Sequence, residues 1–247
     1  MIVSISILTW NNIGNMKILF ESLVEDLKEF DHDFYINICD NGSNDGTKEY
    51  LDKNNVFGKN IILNKNHGIG IAKNLLIEES MKNNSEYMFM FDNDVAIIPG
   101  SLNAMVEFME RNENVACFGQ RIDNYSKDIN DDKICKKFPN VEDLELVYNV
   151  KSGCGATRAW THYAVYRNSI FGKGIGFEEG GPFGEAGYGF DDDDFGNSIV
   201  FAGYDIVCFD NIFCFHNINS SVEMLMENNK LHYKERETYF KNKWSLM

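Results

Sequence analysis

The feature that most constrains this chain is Tyr87-Met88-Phe89-Met90-Phe91, five apolar or aromatic residues in a row that run straight into Asp92-Asn93-Asp94. A run with no polar face reads as a strand buried on both sides, as inside a parallel sheet covered by helices. In open α/β sheets, ligands bind beyond the carboxyl ends of such strands. Asp92 and Asp94 are therefore expected at the rim of a cleft. If the extended geometry continues, both carboxylates point to the same side and repel each other unless a cation lies between them. Mg²⁺ or Mn²⁺, shared with substrate phosphates, is the natural occupant. Asp-Asn-Asp is also good turn chemistry, and for an isolated pair that is the better reading. The rest of the chain has to decide.

The first 120 residues alternate strand and helix patterns. Ile2–Leu8 is rich in β-branched residues and reads as a strand ending in Thr9-Trp10-Asn11-Asn12. Ile13, Met16, Leu19, Phe20, Leu23 and Leu27 recur at helical spacing. Phe34–Cys39 is a second strand, closed by the turn-rich Asp40–Thr47, with a short helix at Thr47–Leu51. Ile61–Leu63 is a third strand, and a helix runs through Ala72, Leu75, Leu76 and Glu79. Tyr87–Phe91 is the fourth strand, followed by a helix over Pro99–Arg111 and a strand at Val115–Gly119. The pattern implies an α/β fold with a mainly parallel sheet, and the polar strand ends gather on one edge.

Beyond Gln120 the pattern changes. Residues 121–150 read as polar and irregular, and Thr161–Arg167 as a strand. Gly172–Gly189 holds eight glycines in eighteen residues, a density that fits either a mobile lid beside a site or an exposed flexible insert. Asp191–Asp194 opens a helix pattern that runs to Ala202, and a strand follows at Ile206–Cys208. Phe213–His216 is aromatic and ends in a histidine, and Val222–Trp244 reads as a helix.

The net charge of −15 argues against a nucleic-acid surface. An acidic chain that holds a phosphorylated ligand needs a metal or helix N-termini to do so. None of the six cysteines forms a Cys-x-x-Cys pair, so reduced, mostly buried thiols and a cytoplasmic setting are expected. The N-terminus lacks the charged start and long apolar run of a signal peptide, and no apolar stretch is long enough to span a bilayer.

Taken together, these motifs resemble the inverting glycosyltransferases of family 2, which have the GT-A fold. The match runs in motif order from residue 1 to about 217. Ile5–Asn11 resembles the family's opening strand and its Thr-aromatic-Asn ending, with Leu8 where proline is common. Ile38–Thr47 is similar to its Asp-Asp/Asn-Gly-Ser-x-Asp-Gly-Thr segment. Asn66-x-Gly68-x-Gly70-x-Ala72-Lys73-Asn74 resembles its Asn-x-Gly-x-x-x-Ala-Arg-Asn, with Lys73 in the arginine place. Asp92-Asn93-Asp94 resembles its Asp-x-Asp metal motif. Gly187–Phe195 resembles the Gly-aromatic-Gly-aromatic-Glu-Asp-x-Asp segment of the acceptor half, with Asp191 replacing Glu. His216 falls where the family places a histidine.

The resemblance implies one GT-A domain over 1–247: a nucleotide-sugar half (1–120), an acceptor half with the glycine-rich loop (121–217) and a C-terminal helical segment (218–247). It implies Mn²⁺ or Mg²⁺ on Asp94 and His216, with Asp92 on the metal or the ribose. Thr9, Trp10, Asn11 and Asp40 would hold base and ribose, UDP or dTDP being favoured. Asn66, Gly70, Lys73 and Asn93 complete the donor set, Lys73 as a point charge toward phosphate. Asp192 would be the general base for a hydroxyl acceptor on a glycan, a lipid-linked saccharide or a protein, with Trp160, Tyr188 and Asp191 on the acceptor side and the sugars stacked on Trp160, Tyr188 and Phe190. Repulsion among four consecutive aspartates can raise one pKa toward neutrality; equally, Asp193 or Asp194 would cap the helix that follows. The aromatic C-terminal helix reads as a packing or dimer element.

Two rival readings differ in kind. A nucleotidyltransferase would also use paired acids and a metal, but typically carries a glycine-rich basic loop after its first strand, where this chain has Thr9-Trp10-Asn11-Asn12. An inactive sugar- or nucleotide-binding module would have lost an acid, the base or the histidine, and all are present. A dinucleotide-binding oxidoreductase is disfavoured, because Gly68-x-Gly70 lacks the third glycine of the fingerprint.

Overall fold

A computed structural model describes residues 1–54, 58–121, 136–183, 189–210, 215–216 and 233–244. In chain order the elements are β1 (Ile2–Thr9), α1 (Ile13–Leu27), β2 (Asp33–Asp40), α2 (Thr47–Lys53), β3 (Gly58–Ile62), α3 (Ile69–Lys82), β4 (Tyr87–Asp92), α4 (Ser101–Arg111), β5 (Val115–Gln120), β6 (Leu146–Tyr148), β7 (Tyr163–Arg167), α5 (Asp191–Phe201) and β8 (Asp205–Phe209). A last helix, α6, covers 233–244.

The eight strands form one sheet in the order β3-β2-β1-β4-β7-β5-β8-β6. β1 is parallel to both β2 and β4, β2 to β3, and β5 to β8, while β7 runs antiparallel to both β4 and β5. The sheet is thus mainly parallel, with one reversed strand inserted at its centre and another, β6, on the edge of β8. β6 lies in the stretch expected to be irregular. At three residues it is too short for a clear alternating pattern.

β4 is buried on both faces, as its sequence requires. Tyr87, Phe89 and Phe91 point into one core with residues of α1 and α4, whereas Met88 and Met90 point into a second with residues of α3 and α5. Removing one of these rings, as in Phe89→Ala, is the kind of core truncation that costs about 3–5 kcal/mol. α1 buries Met16, Leu19, Phe20 and Leu23 against the sheet, and Asn12 caps its start by accepting from the Asn15 N–H. In and beside the glycine-rich stretch, Asn168–Lys173 and Gly181–Phe183 are 3₁₀ turns; residues 184–188 lie outside those described. Among the described residues no helix is long and apolar enough to cross a membrane.

Candidate active site

The register of the parallel strands brings the polar ends together. Thr9 lies opposite Asp40, and Leu8 opposite Asp92. β7 starts beside the same edge, where the Asp92 N–H donates to the His162 carbonyl at 3.2 Å. Asn93 then turns the chain. Its amide donates to Thr9 Oγ1 at 2.9 Å and to the Asn11 carbonyl at 2.7 Å. The extended geometry expected through Asp94 therefore stops at Asp92. Asp94 nevertheless faces the same cavity, because Val95 bridges to His216 and brings the ring to 3.3 Å from Asp94 Oδ1.

The cavity has a volume of about 660 Å³, within the range of small-molecule sites. It is lined by Trp10, Asn41, Asn66 and Ile69, by Lys73, Asp92, Asp94, His162 and His216, by Arg158, Thr161 and Asp191–Asp193, and by Tyr233, Glu237 and Lys241 of α6.

Each of the four consecutive aspartates has its own surroundings. Asp191 lines the cavity. Asp192 Oδ1 accepts from Thr161 Oγ1 at 2.8 Å. Asp193 is held by Arg158 through Nε at 3.2 Å and a terminal nitrogen at 3.0 Å. Asp194 accepts from Trp244 Nε1 at 2.7 Å and Lys243 Nζ at 2.9 Å. None of them caps the helix: the capping position is Phe190, at φ 63°, with no side-chain bond to the backbone. The negative charges lie in the first turn, where the helix dipole favours them, but long-range cations hold two of them.

Burial, and then the charge of Asp191, raise the Asp192 carboxyl to about 7, against the opposing effects of Lys73 and the Thr161 bond. Lys73 sits 3.4 Å from Asp92 Oδ1 and also donates to Thr161 Oγ1. Burial works against its charge, but Asp92, Asp192 and Asp191 outweigh burial and hold its pKa above the usual value. Burial also raises Asp92, with Lys73 opposing. His216 is likewise desolvated, yet Asp94 outweighs this and raises it. His162 stacks on His216 with ring centroids 4.5 Å apart and planes 11° apart. Burial, together with the His216 and Lys73 charges, depresses it well below 6.5, so its ring is neutral.

The donor set suits a divalent ion in kind. Asp92 Oδ1 and Asp94 Oδ1 are buried, and what stands beside them are ion-pair contacts rather than well-formed hydrogen bonds: Lys73 Nζ at 3.4 Å and the His216 imidazole at 3.3 Å. As the side chains lie, however, no group of three or more His, Cys, Asp or Glu among the described residues converges on one point. Asp94 is turned to His216 and Asp92 to Lys73.

Residues 4–174 match the model of glycosyl transferase family 2. The chain belongs to that family. Similar solved structures have the GT-A fold seen here. A mannosyltransferase from Pyrobaculum calidifontis, described in complex with GDP-Man and Mn²⁺, shares 12% identity over 89% of this chain, with a TM-score of 0.60. TarS from S. aureus shares 18% identity over 88% of the chain, with a TM-score of 0.61. Its 1–349 fragment in complex with UDP-GlcNAc shares 17% identity over 86%, with a TM-score of 0.53. The chain spans 57% of the mannosyltransferase chain and 37% of TarS. No curated protein matches it by sequence.

Of the residues singled out from the sequence, Trp10, Asn66, Lys73, Asp92, Asn93, Asp94, Asp191, Asp192 and His216 line one cavity. Five expected residues do not line it. Thr9 is buried and receives Asn93. Asn11 braces the turn, its side chain accepting from the Asn44 N–H at 2.8 Å. Asp40 is fully buried and ties Ser43 through Oδ1, leaving Oδ2 with no donor among the described residues. Gly70 is a packing glycine: a Cβ there would lie 2.6 Å from the Glu178 carbonyl. Trp160 is 2% exposed in the second core, so it packs under the site rather than presenting a face to a sugar. Tyr188 lies outside the described residues. The sequence reading passed over Asn41, Arg158, Thr161, His162 and the α6 residues. Nothing local in the sequence marks Thr161 or His162, since their place beside Asp92 follows from the pairing of β7 with β4.

Proposed function

We propose that this chain transfers a sugar from a nucleoside-diphosphate sugar to a hydroxyl acceptor with inversion, and that Asp192 is the general base. The observation that carries the reading is a partly buried carboxylate, hydrogen-bonded by Thr161 and raised to about 7, in the same cavity as the Asp92-Asn93-Asp94 turn and His216. A base with a pKa near the working pH combines a useful ionised fraction with real proton affinity. In inverting transfer the acceptor oxygen attacks the anomeric carbon from the face opposite the departing diphosphate. Asp192 takes the hydroxyl proton as that bond forms, a step typically worth about 10² to 10⁴ in rate.

Trp10, Asn41 and Asn66 would flank the nucleoside end. A uracil or thymine base is favoured by resemblance to the family, in which an Asp at the place of Asp40 would accept the imide N–H. Asp94 and His216 would hold Mn²⁺ or Mg²⁺, with Asp92 joining once freed from Lys73. A bound ion supplies Lewis-acid stabilisation of diphosphate charge. The mannosyltransferase described with Mn²⁺ supports that assignment by likeness of fold. Asp191 would face the acceptor, which is a glycan, a lipid-linked saccharide or a protein side chain.

The test is calorimetric titration with a panel of nucleoside diphosphates, with and without Mn²⁺, followed by turnover assays of the matching sugars. Metal-dependent binding of one member, together with an Asp192→Asn variant that binds it but does not turn over, is the expected result. Near-normal turnover by Asp192→Asn would overturn the base assignment. No binding by any member would leave the inactive binding module as the reading.

A further inference from the structure

We propose that Thr161 is the positioning residue that aims the Asp192 carboxylate, with Lys73 fixing the direction of its single hydroxyl proton. The proposal rests on the reading of Asp192 as the base. Its chemistry follows from donors and acceptors. An ammonium group can only donate, and a hydroxyl has one proton to give. Lys73 Nζ donates to Thr161 Oγ1. The hydroxyl must therefore accept on that side, which leaves its proton for Asp192 Oδ1 at 2.8 Å. Lys73 and Thr161 are each 1% exposed, so the bond between them is shielded from water. The order Lys73, Thr161, Asp192 has only one polarity.

That polarity has a consequence for the reaction. One Asp192 oxygen is engaged by Thr161; the other, which accepts no hydrogen bond among the described residues and belongs to a residue that lines the cavity, would take the acceptor proton. The backbone is held by the same segment, since the Ala159 N–H donates to the Asp192 carbonyl at 3.1 Å. Side chain and main chain of the base are thus both tied to residues 159–161, which lead into β7. A neutral hydroxyl also suits the task better than a direct cation. An ammonium or guanidinium bonded to Asp192 would hold it ionised and weaken it as a base, and a hydroxyl orients it at far smaller electrostatic cost.

The test uses the whole chain. Wild type is first assayed for release of nucleoside diphosphate from UDP-, dTDP- and GDP-sugars, and its affinity for the corresponding diphosphate is measured by calorimetry. T161V, which keeps the shape and loses the hydroxyl, is expected to lose about 10- to 100-fold in kcat with nucleotide affinity unchanged. T161S is expected to restore most of the rate. If T161V does not fold, T161C fills similar space with a weak donor and is expected to show the same loss. T161V or T161C turning over at the wild-type rate overturns the proposal. So does T161S as slow as either, or a fall in nucleotide affinity that parallels kcat, which marks a purely structural role. Wild type inactive on every donor, or D192N as active as wild type, overturns the reading beneath it instead.

Discussion

An added Cβ on Gly196 would stand 2.0 Å from the carbonyl oxygen of Thr157. Real side chains do not approach backbone that closely, so α5 can lie on the 157–161 segment only because residue 196 has no side chain. The same contact sets the height of Asp192, one turn earlier on the helix, relative to Thr161. Gly196→Ala must push the helix away. Overpacking of this kind costs about 1–3 kcal/mol, and a chain of this size loses roughly 2–4 °C of Tm per kcal/mol. The expected variant is less thermostable and slower in turnover, with nucleotide affinity retained, because the donor side of the cavity belongs to other elements. Thermal unfolding and calorimetry on one preparation check it. Wild-type stability and rate together would mean that α5 does not sit this close.

Asp192 gives the pH dependence its sign. A base works ionised, and burial with the neighbouring Asp191 charge lifts this carboxyl to about 7. Turnover should therefore rise with pH through about 7 and level off above it. The same shift has the opposite effect on stability. A carboxyl whose folded pKa exceeds its unfolded value favours the folded state below the unfolded pKa, and that contribution is lost as pH rises through the folded pKa. Asp192→Asn removes the titration. The variant should be more stable than wild type at pH 8, and the difference should shrink as pH falls below 7. Paired thermal melts at several pH values test this. A stability difference that does not change with pH would place the Asp192 pKa at its ordinary value.

The far end of the acidic run rests on α6. Trp244 donates to Asp194 at 2.7 Å and stacks on Phe201 with ring centroids 5.0 Å apart. Trp244→Phe keeps an aromatic ring for the stack and removes the donor to a carboxylate that is 1% exposed. A hydrogen bond to a charged group is worth about 1.5–3 kcal/mol. Urea unfolding should register a loss of that order. Lys243 stays on the other oxygen, so the fold is expected to survive. No change in the midpoint would show that α6 contributes little to holding Asp194.

How far the sequence could be read depended on where each partner lies along the chain. Strand β4, its two-sided burial and the donor-side motifs were legible because each is written in consecutive residues. Thr161 and His162 were not, because their place beside Asp92 comes from β7, a reversed strand inserted next to β4, and no local pattern states that register. The sequence suggests Asp193 or Asp194 as a helix cap because the partners that hold them, Arg158, Lys243 and Trp244, lie 35 to 50 residues away. Gly70 and Trp160 were read as ligand residues because a glycine in a motif and an aromatic near a loop look the same whether they touch ligand or core. Only their packing, against Glu178 and within the second core, distinguishes the two.

The Asp94–His216 contact predicts how metal dependence should divide among the acids. The two side chains lie 3.3 Å apart, and Asp92 is drawn to Lys73 at 3.4 Å. Asp94→Ala and His216→Ala should each abolish the Mn²⁺-dependent part of nucleoside diphosphate binding and leave the metal-free part in place. Asp92→Asn should behave differently. It removes the carboxylate that balances Lys73, so it should weaken metal-dependent binding and also lower stability, as breaking a buried ion pair leaves a charge uncompensated, at about 3–5 kcal/mol when burial is complete. Asp92 is only partly buried by surface area, with a side chain 32% exposed, so the lower end of that range or less is expected. Calorimetry with and without Mn²⁺, alongside thermal melts, separates the two effects. Equal losses of metal response in all three variants with no change in stability would assign Asp92 to the ion alone. Retained metal response in Asp94→Ala would move the ion off the Asp94–His216 pair.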